Sequence, residues 1–171
     1  MIIRKIVLAV FATAMIVACG DKKGEKNSSE SEFTRVGEPE NMEVEVVENY
    51  FPKKEITPNV IQFYTIDNEK EFNQKFGVAK TMNNKVTPID FSKNRVGVII
   101  LPETNKKTTI EIEDTERIGS GAVIEYEITE GEEQSFSTTP ALIFKLPGDN
   151  RLKTIEFKAG KEVNVIGVSE K

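Results

Sequence analysis

Four glutamates carry the spacing that carboxylate chemistry asks for. Glu111 with Glu113, and Glu125 with Glu127, each stand two residues apart, which on a strand puts both on one face. Carboxyl groups about 5–9 Å apart can run glycoside hydrolysis, one as acid and the other as base or nucleophile. The competing reading is the wet face of an ordinary strand. It is preferred, because apolar residues alternate with these glutamates as they do in neighbouring segments. The chain also has no tryptophan to stack on a sugar. Glu130, Glu132 and Glu133 around Gly131 offer oxygens, but a calcium ion takes about six to eight and no EF-hand spacing is present. A solvated acidic turn is expected there. Gly119-Ser120-Gly121 holds a hydroxyl between glycines. A nucleophile elbow needs Gly-x-Ser-x-Gly between a strand and a helix. Neither that spacing nor a following helix is there, so a hairpin turn is expected. Gly77, Gly97, Gly148 and Gly160 form no phosphate cradle, since no glycine-rich loop opens a helix.

Histidine is absent from all 171 residues. That removes Ser-His-Asp and Cys-His catalysis, histidine-containing zinc sites and histidine pH switches together. No cofactor or metal is expected, and the chain reads as a non-enzyme. Its 28 acidic and 23 basic side chains give a formal charge of −5. Without residues 1–18, which hold two basic and no acidic side chains, the balance is −7. No Lys/Arg cluster with interleaved aromatics occurs, so nucleic acid is not an expected partner. Nor is an anionic membrane surface, beyond any lipid the chain itself carries.

The single cysteine, Cys19, closes a segment of definite plan. Arg4 and Lys5 precede a twelve-residue apolar run, residues 6–17, broken only by Thr13. That is too short for a bilayer, which takes about 20 residues. Ile16-Val17-Ala18-Cys19 resembles the signal motif of bacterial lipoproteins: aliphatic, small or β-branched, small, then cysteine. The resemblance implies cleavage before Cys19 and acyl chains on its thiol and new amine. Several chains on one residue give a durable anchor, where one gives a marginal one. Residues 1–18 are therefore expected to be a signal peptide and 19–34 a flexible tether. Residues 20–32, GDKKGEKNSSESE, hold no apolar side chain to offset ordering entropy. Residues 35–171 are expected to form one domain. The location implied is the bacterial cell envelope, with inner leaflet, outer leaflet and cell surface left open. No disulfide can form within the chain.

The domain's patterning is that of strands. Residues 43–51 begin with Val44 and Val46 against Glu43 and Glu45. Residues 60–66, VIQFYTI, are β-branched and aromatic. A short helix is expected over 68–76, capped by Asp67, with Phe72 and Phe76 facing a sheet and Gly77 stopping it. Residues 96–101, VGVIIL, are apolar throughout and imply a strand covered on both faces. Gly97 within it implies a close approach or a bulge. A turn is expected at 102–105. Residues 107–113 alternate, as do 122–129, which Glu130-Gly131-Glu132-Glu133 should end. Residues 141–146 form another buried strand, 147–150 a turn, and 154–158 with 163–168 a hairpin. The expectation is a mainly β fold: an antiparallel sandwich or barrel-like sheet of about eight strands with one short helix.

Pro88-Ile89-Asp90-Phe91-Ser92-Lys93, followed by Val96-Gly97-Val98-Ile99-Ile100, resembles the opening strand of the C-terminal domain of PrcB-type protease-complex subunits. Ser137-Thr138-Thr139-Pro140-Ala141-Leu142-Ile143 resembles that family's Thr-x-Pro lead-in to a strand. The likeness covers about residues 60–158 and implies a β domain that assists or restrains an envelope protease. It departs at 102–108, where the family's Thr-Gly-Gly-Tyr-like turn is missing. The function expected is a non-catalytic binding or accessory module acting through protein contacts, in a monomer held to the membrane by Cys19. Its contacts are expected at two loop tips, Glu103, Thr104, Asn105, Lys106 and Lys107 at one and Ser120 at the other, where binding residues concentrate on β scaffolds. A small-ligand or glycan binder with Tyr50, Tyr64 or Tyr126 at a pocket mouth is the alternative. A carboxylate hydrolase ranks behind it.

Overall fold

Val96-Gly97-Val98-Ile99-Ile100 is apolar at every position because both of its faces are covered. The computed structural model describes residues 37–79 and 85–170, which fall in one compact unit. Their strands are β1 (Pro39–Asn41), β2 (Glu45–Val46), β3 (Tyr50–Pro52), β4 (Gln62–Ile66), β5 (Phe76–Val78), β6 (Asn94–Ile100), β7 (Thr104–Ile118), β8 (Gly121–Thr138), β9 (Ala141–Pro147), β10 (Thr154–Ala159) and β11 (Glu162–Gly167). One helix, α1 (Glu69–Lys75), and one 3-10 turn, Lys54–Ile56, accompany them. The fold is mainly β. The signal motif, Cys19 and the tether lie outside the described residues.

β6 runs inside a four-stranded sheet ordered β2-β9-β6-β4, antiparallel throughout. Its side chains alternate across that sheet. Val96, Val98 and Ile100 pack with Ile66, Phe72, Phe76 and Ile143 on one side. Ile99 packs with Phe144, Leu146, Ile124 and Phe157 on the other. The second side is the sandwich core, closed by a five-stranded sheet ordered β1-β7-β8-β10-β11. The first side is closed by α1 and the two-stranded ribbon β3-β5.

Gly97 makes a close approach and no bulge: β6 and β9 pair in unbroken register from Asn94↔Pro147 to Ile100↔Ala141. The ring of Phe144 lies over Gly97, where a Cβ would stand 2.5 Å from it. Phe51 covers Gly77 in the same way in the β3-β5 ribbon. That contact explains the first correction to the sequence reading: Gly77 is a strand residue and not a helix stop. The second is the helix cap. It is Asn68, whose side chain accepts from the Glu71 N–H at 2.9 Å. Asp67 is turned instead toward Arg95, with Oδ1 3.4 Å from Nε.

Four further corrections concern strands. The segment 43–51 is two short strands, β2 and β3, separated by Asn49 in the left-handed region at φ 67°. The sheet is mixed, since β8 and β10 pair in parallel, Gly121↔Thr154 to Glu125↔Lys158. The count is eleven among the described residues, partly because short edge strands carry no periodic signal. Finally, residues 102–105 and 130–133 do not turn the chain, because β7 begins at Thr104 and β8 runs on to Thr138.

The tip between β7 and β8 is braced from below. Lys153 N–H donates to the Ser120 carbonyl at 2.8 Å. Arg117 donates to both Asp149 carboxylate oxygens, at 3.1 and 3.3 Å. Those bonds from Arg117, with further ones from Arg151, hold the Asp149 carboxyl well below the usual carboxylate range, against the opposite push of partial burial. Among the described residues no helix is long and apolar enough to cross a membrane.

Candidate functional site

The residues expected at loop tips do not form one surface. Glu103 lines a shallow cleft of about 530 Å³ with Phe51, Lys54, Thr57 and Thr139. Thr104, Asn105, Lys106 and Lys107 stand in β7, where Thr104 Oγ1 accepts from the Lys106 N–H at 3.1 Å and Lys106 Nζ meets Glu130 Oε2 at 2.5 Å. Ser120 lies at the opposite end of the 15-residue β7, about 45 Å away along an extended strand. Its turn is a structural brace.

The glutamate pairs are parts of a ribbon. Glu111 stands directly across from Glu127, and Asp114 across from Glu125. Glu125 Oε1 is 2.5 Å from Lys158 Nζ on β10. Glu113, Glu125, Glu127 and Lys158 rim a depression of about 340 Å³. Among the described residues no group of three or more His, Cys, Asp or Glu is placed to hold a metal.

The tyrosines part company as well. Tyr126 is buried in the sandwich core, its ring edge-on to Phe63. Tyr64 has its phenol pushed up to about 12 by burial, with Glu71 adding, and Lys75 Nζ sits 5.2 Å from its ring centre. Tyr50 does line a cleft, of about 430 Å³, between β3 and residues 108–111 of β7. Its hydroxyl donates to the Thr87 carbonyl at 3.4 Å, and its ring meets Phe72 edge-on.

What the fold builds instead is an arm, a two-stranded ribbon that continues from the β6–β9 pair of the four-stranded sheet, where Ile100 faces Ala141, and ends in the five-stranded sheet. β1 pairs with β7 only at residues 116–118, and β10 pairs with β8 only at residues 121–125. Beyond those, β7 and β8 pair with each other and continue as a two-stranded ribbon. Its register shifts twice in the part next to β6 and β9, between Thr104 and Lys106 and between Lys106 and Thr108. The second of these leaves Glu130–Glu133 longer than the strand opposite, and the first bulges residues 134–137. From Glu127 onward every β8 residue but Gln134 is exposed. Two large apolar side chains stand in this stretch, Ile128 at 37% and Phe136 at 57% exposure.

Neither was singled out from the sequence. The available signal was Phe136 itself, an aromatic with only Gln, Ser and Thr within two positions, so that no alternation gives it a buried face. No protein-family model, curated protein or solved structure matches the chain.

The arm also concentrates charge. Residues 104–114 and 125–138 hold eight acidic and two basic side chains, a formal −6 against −5 for the whole chain. Among the described residues Glu130 is paired with Lys106 and Glu125 with Lys158. A strand edge unpaired over many residues is a template for another strand. The arm combines such an edge with exposed apolar groups and a one-signed field.

Proposed function

We propose that this chain is a lipid-anchored protein of the bacterial envelope, held by acyl chains on Cys19 after removal of residues 1–18. In this reading its folded domain is a non-catalytic binding module that works through protein contacts. The observation that carries the reading is the arm: β8 beyond Glu125 is paired on one edge only and presents Ile128 and Phe136 to solvent. An extended partner can add to such an edge through main-chain hydrogen bonds, with side-chain contacts giving selectivity. A tether over 19–34 gives the arm reach from the membrane. The resemblance to PrcB-type protease-complex subunits makes an envelope protease the first class of partner to test. The Thr-x-Pro segment that carries part of that resemblance joins the arm to β9.

The test is a double variant, Ile128→Ser with Phe136→Ser, in the tagged, lipidated chain. Exposed substitutions of this kind change stability by about 0.5 kcal/mol or less, so the melting temperature is expected to hold. Crosslinking in intact envelopes is expected to recover a partner with the parent chain and at least about tenfold less with the variant, the loss of about 1.4 kcal/mol of contact. Equal recovery with both chains would remove the arm as the contact surface.

A further inference from the structure

Resting on that reading, we infer the chemistry of the occupant: a lysine- or arginine-rich extended segment of another protein that adds as a strand along residues 126–133 of β8. Eight residues of extended chain span about 26 Å. From Tyr126 to Glu130 successive β8 side chains point to opposite faces, and the bulge over Glu130–Glu133 interrupts that alternation. Glu127 shares one face with Glu111 across the ladder, and Ile128 shares the other with Ile110. Glu130, Glu132 and Glu133 follow within five residues of Ile128, so a strand docked beside β8 meets carboxylates along most of its length and one apolar side chain, Ile128, which a lysine- or arginine-rich sequence matches.

Charge selects among the strands that could use this edge. A second copy of the chain would set one arm of formal −6 against another, and like charges directly opposite are destabilising. The acidic arm thus opposes self-pairing while admitting a basic strand, the repulsive and attractive halves of one specificity. Anionic lipid and nucleic acid are repelled by the same field.

The test uses the full lipidated chain in neutral detergent and two labelled octapeptides, one alternating lysine and valine, the other alternating glutamate and valine. Binding is followed by fluorescence anisotropy and located by hydrogen–deuterium exchange. The lysine peptide is expected to bind and to slow exchange over 126–133. Its affinity is expected to fall about tenfold or more in the variant Glu127→Gln, Glu130→Gln, Glu132→Gln, Glu133→Gln, as several charge contacts are lost together. It should fall similarly between about 0.02 and about 0.5 M salt, where screening shortens to a few ångströms. Equal binding of the glutamate peptide overturns the inference. So does protection placed away from 126–133, or self-association of the peptide-free chain. If the lysine peptide fails while Ile128→Ser with Phe136→Ser still loses an envelope partner, the inference falls and the binding-module reading stands. If that variant also loses nothing, both fall.

Discussion

Arg95→Ala lowers the stability of the domain by about 3–5 kcal/mol, the usual cost of leaving one partner of a buried ion pair uncompensated. Arg95 is fully buried at the head of β6. Its Nη1 and Nη2 both donate to the Ser169 carbonyl at 3.3 Å. Its Nε lies 3.4 Å from Asp67 Oδ1, and those two atoms have no hydrogen bond of good geometry to anything else. One guanidinium thus joins the end of β4 to the segment that follows β11. Alanine removes the charge, empties the site and leaves the Asp67 oxygen buried without a cation. Replacing both partners by apolar or neutral groups, Arg95→Met with Asp67→Asn, is expected to recover most of the loss, because the desolvation penalty goes with the charges. Urea unfolding of the three chains measures this. A loss under about 1 kcal/mol for Arg95→Ala, the range of a surface pair, would show that the pair contributes little to the fold.

Phe144→Ala is expected to cost about as much, 3–5 kcal/mol by the scale of buried aromatic truncations. Its ring is fully buried in the sandwich core, beside Phe157 and over Gly97. The informative experiment is the cycle with Gly97→Ala. In the parent chain the added methyl meets the ring at 2.5 Å, and such overpacking costs about 1–3 kcal/mol. In the Phe144→Ala chain the ring is gone. There the same methyl fills space and removes a glycine from a strand interior, worth about 0.5–1 kcal/mol. The sign of Gly97→Ala is therefore expected to reverse between backgrounds. Additive effects would mean that glycine is needed at 97 for a reason other than the ring.

These two sites mark how far the sequence was legible. The run 96–101 announced a strand covered on both faces, because no polar position interrupts it, the run 141–146 announced a mostly buried one with Lys145 as its single polar position, and Gly97 announced a close approach. Phe72 announced a helix packed on a sheet, while Phe76, expected on the same helix, opens β5, and the two rings stack 5.1 Å apart. Arg95 was silent, since a charged residue at a strand end usually points to water and nothing local reveals that Ser169 returns to cover it. The parallel pairing of β8 with β10 was silent for the same reason: pairing is set by distant segments. The arm was lost for a different one. Alternation is legible only where one face is buried. Beyond Glu127 both faces of β8 meet water, so the polar run 129–138 looked like a turn and the end of a strand. Lys106 and Lys107 look like loop residues for the same reason and stand in β7, Phe136 has no alternation to mark it, and Glu103 and Ser120 do lie outside the strands.

The measurement that bears most directly on the arm is site-resolved photo-crosslinking in living envelopes. A photoreactive amino acid replaces Phe136 in one chain, Ile128 in a second, and Lys161, beside the tight turn between β10 and β11, in a third. Each chain keeps Cys19 and its anchor. The expected result is one dominant adduct of the same mass from positions 128 and 136 and none from 161. Adducts of equal yield from all three, or from 161 alone, would contradict the assignment of the arm as the surface through which this protein binds its partner.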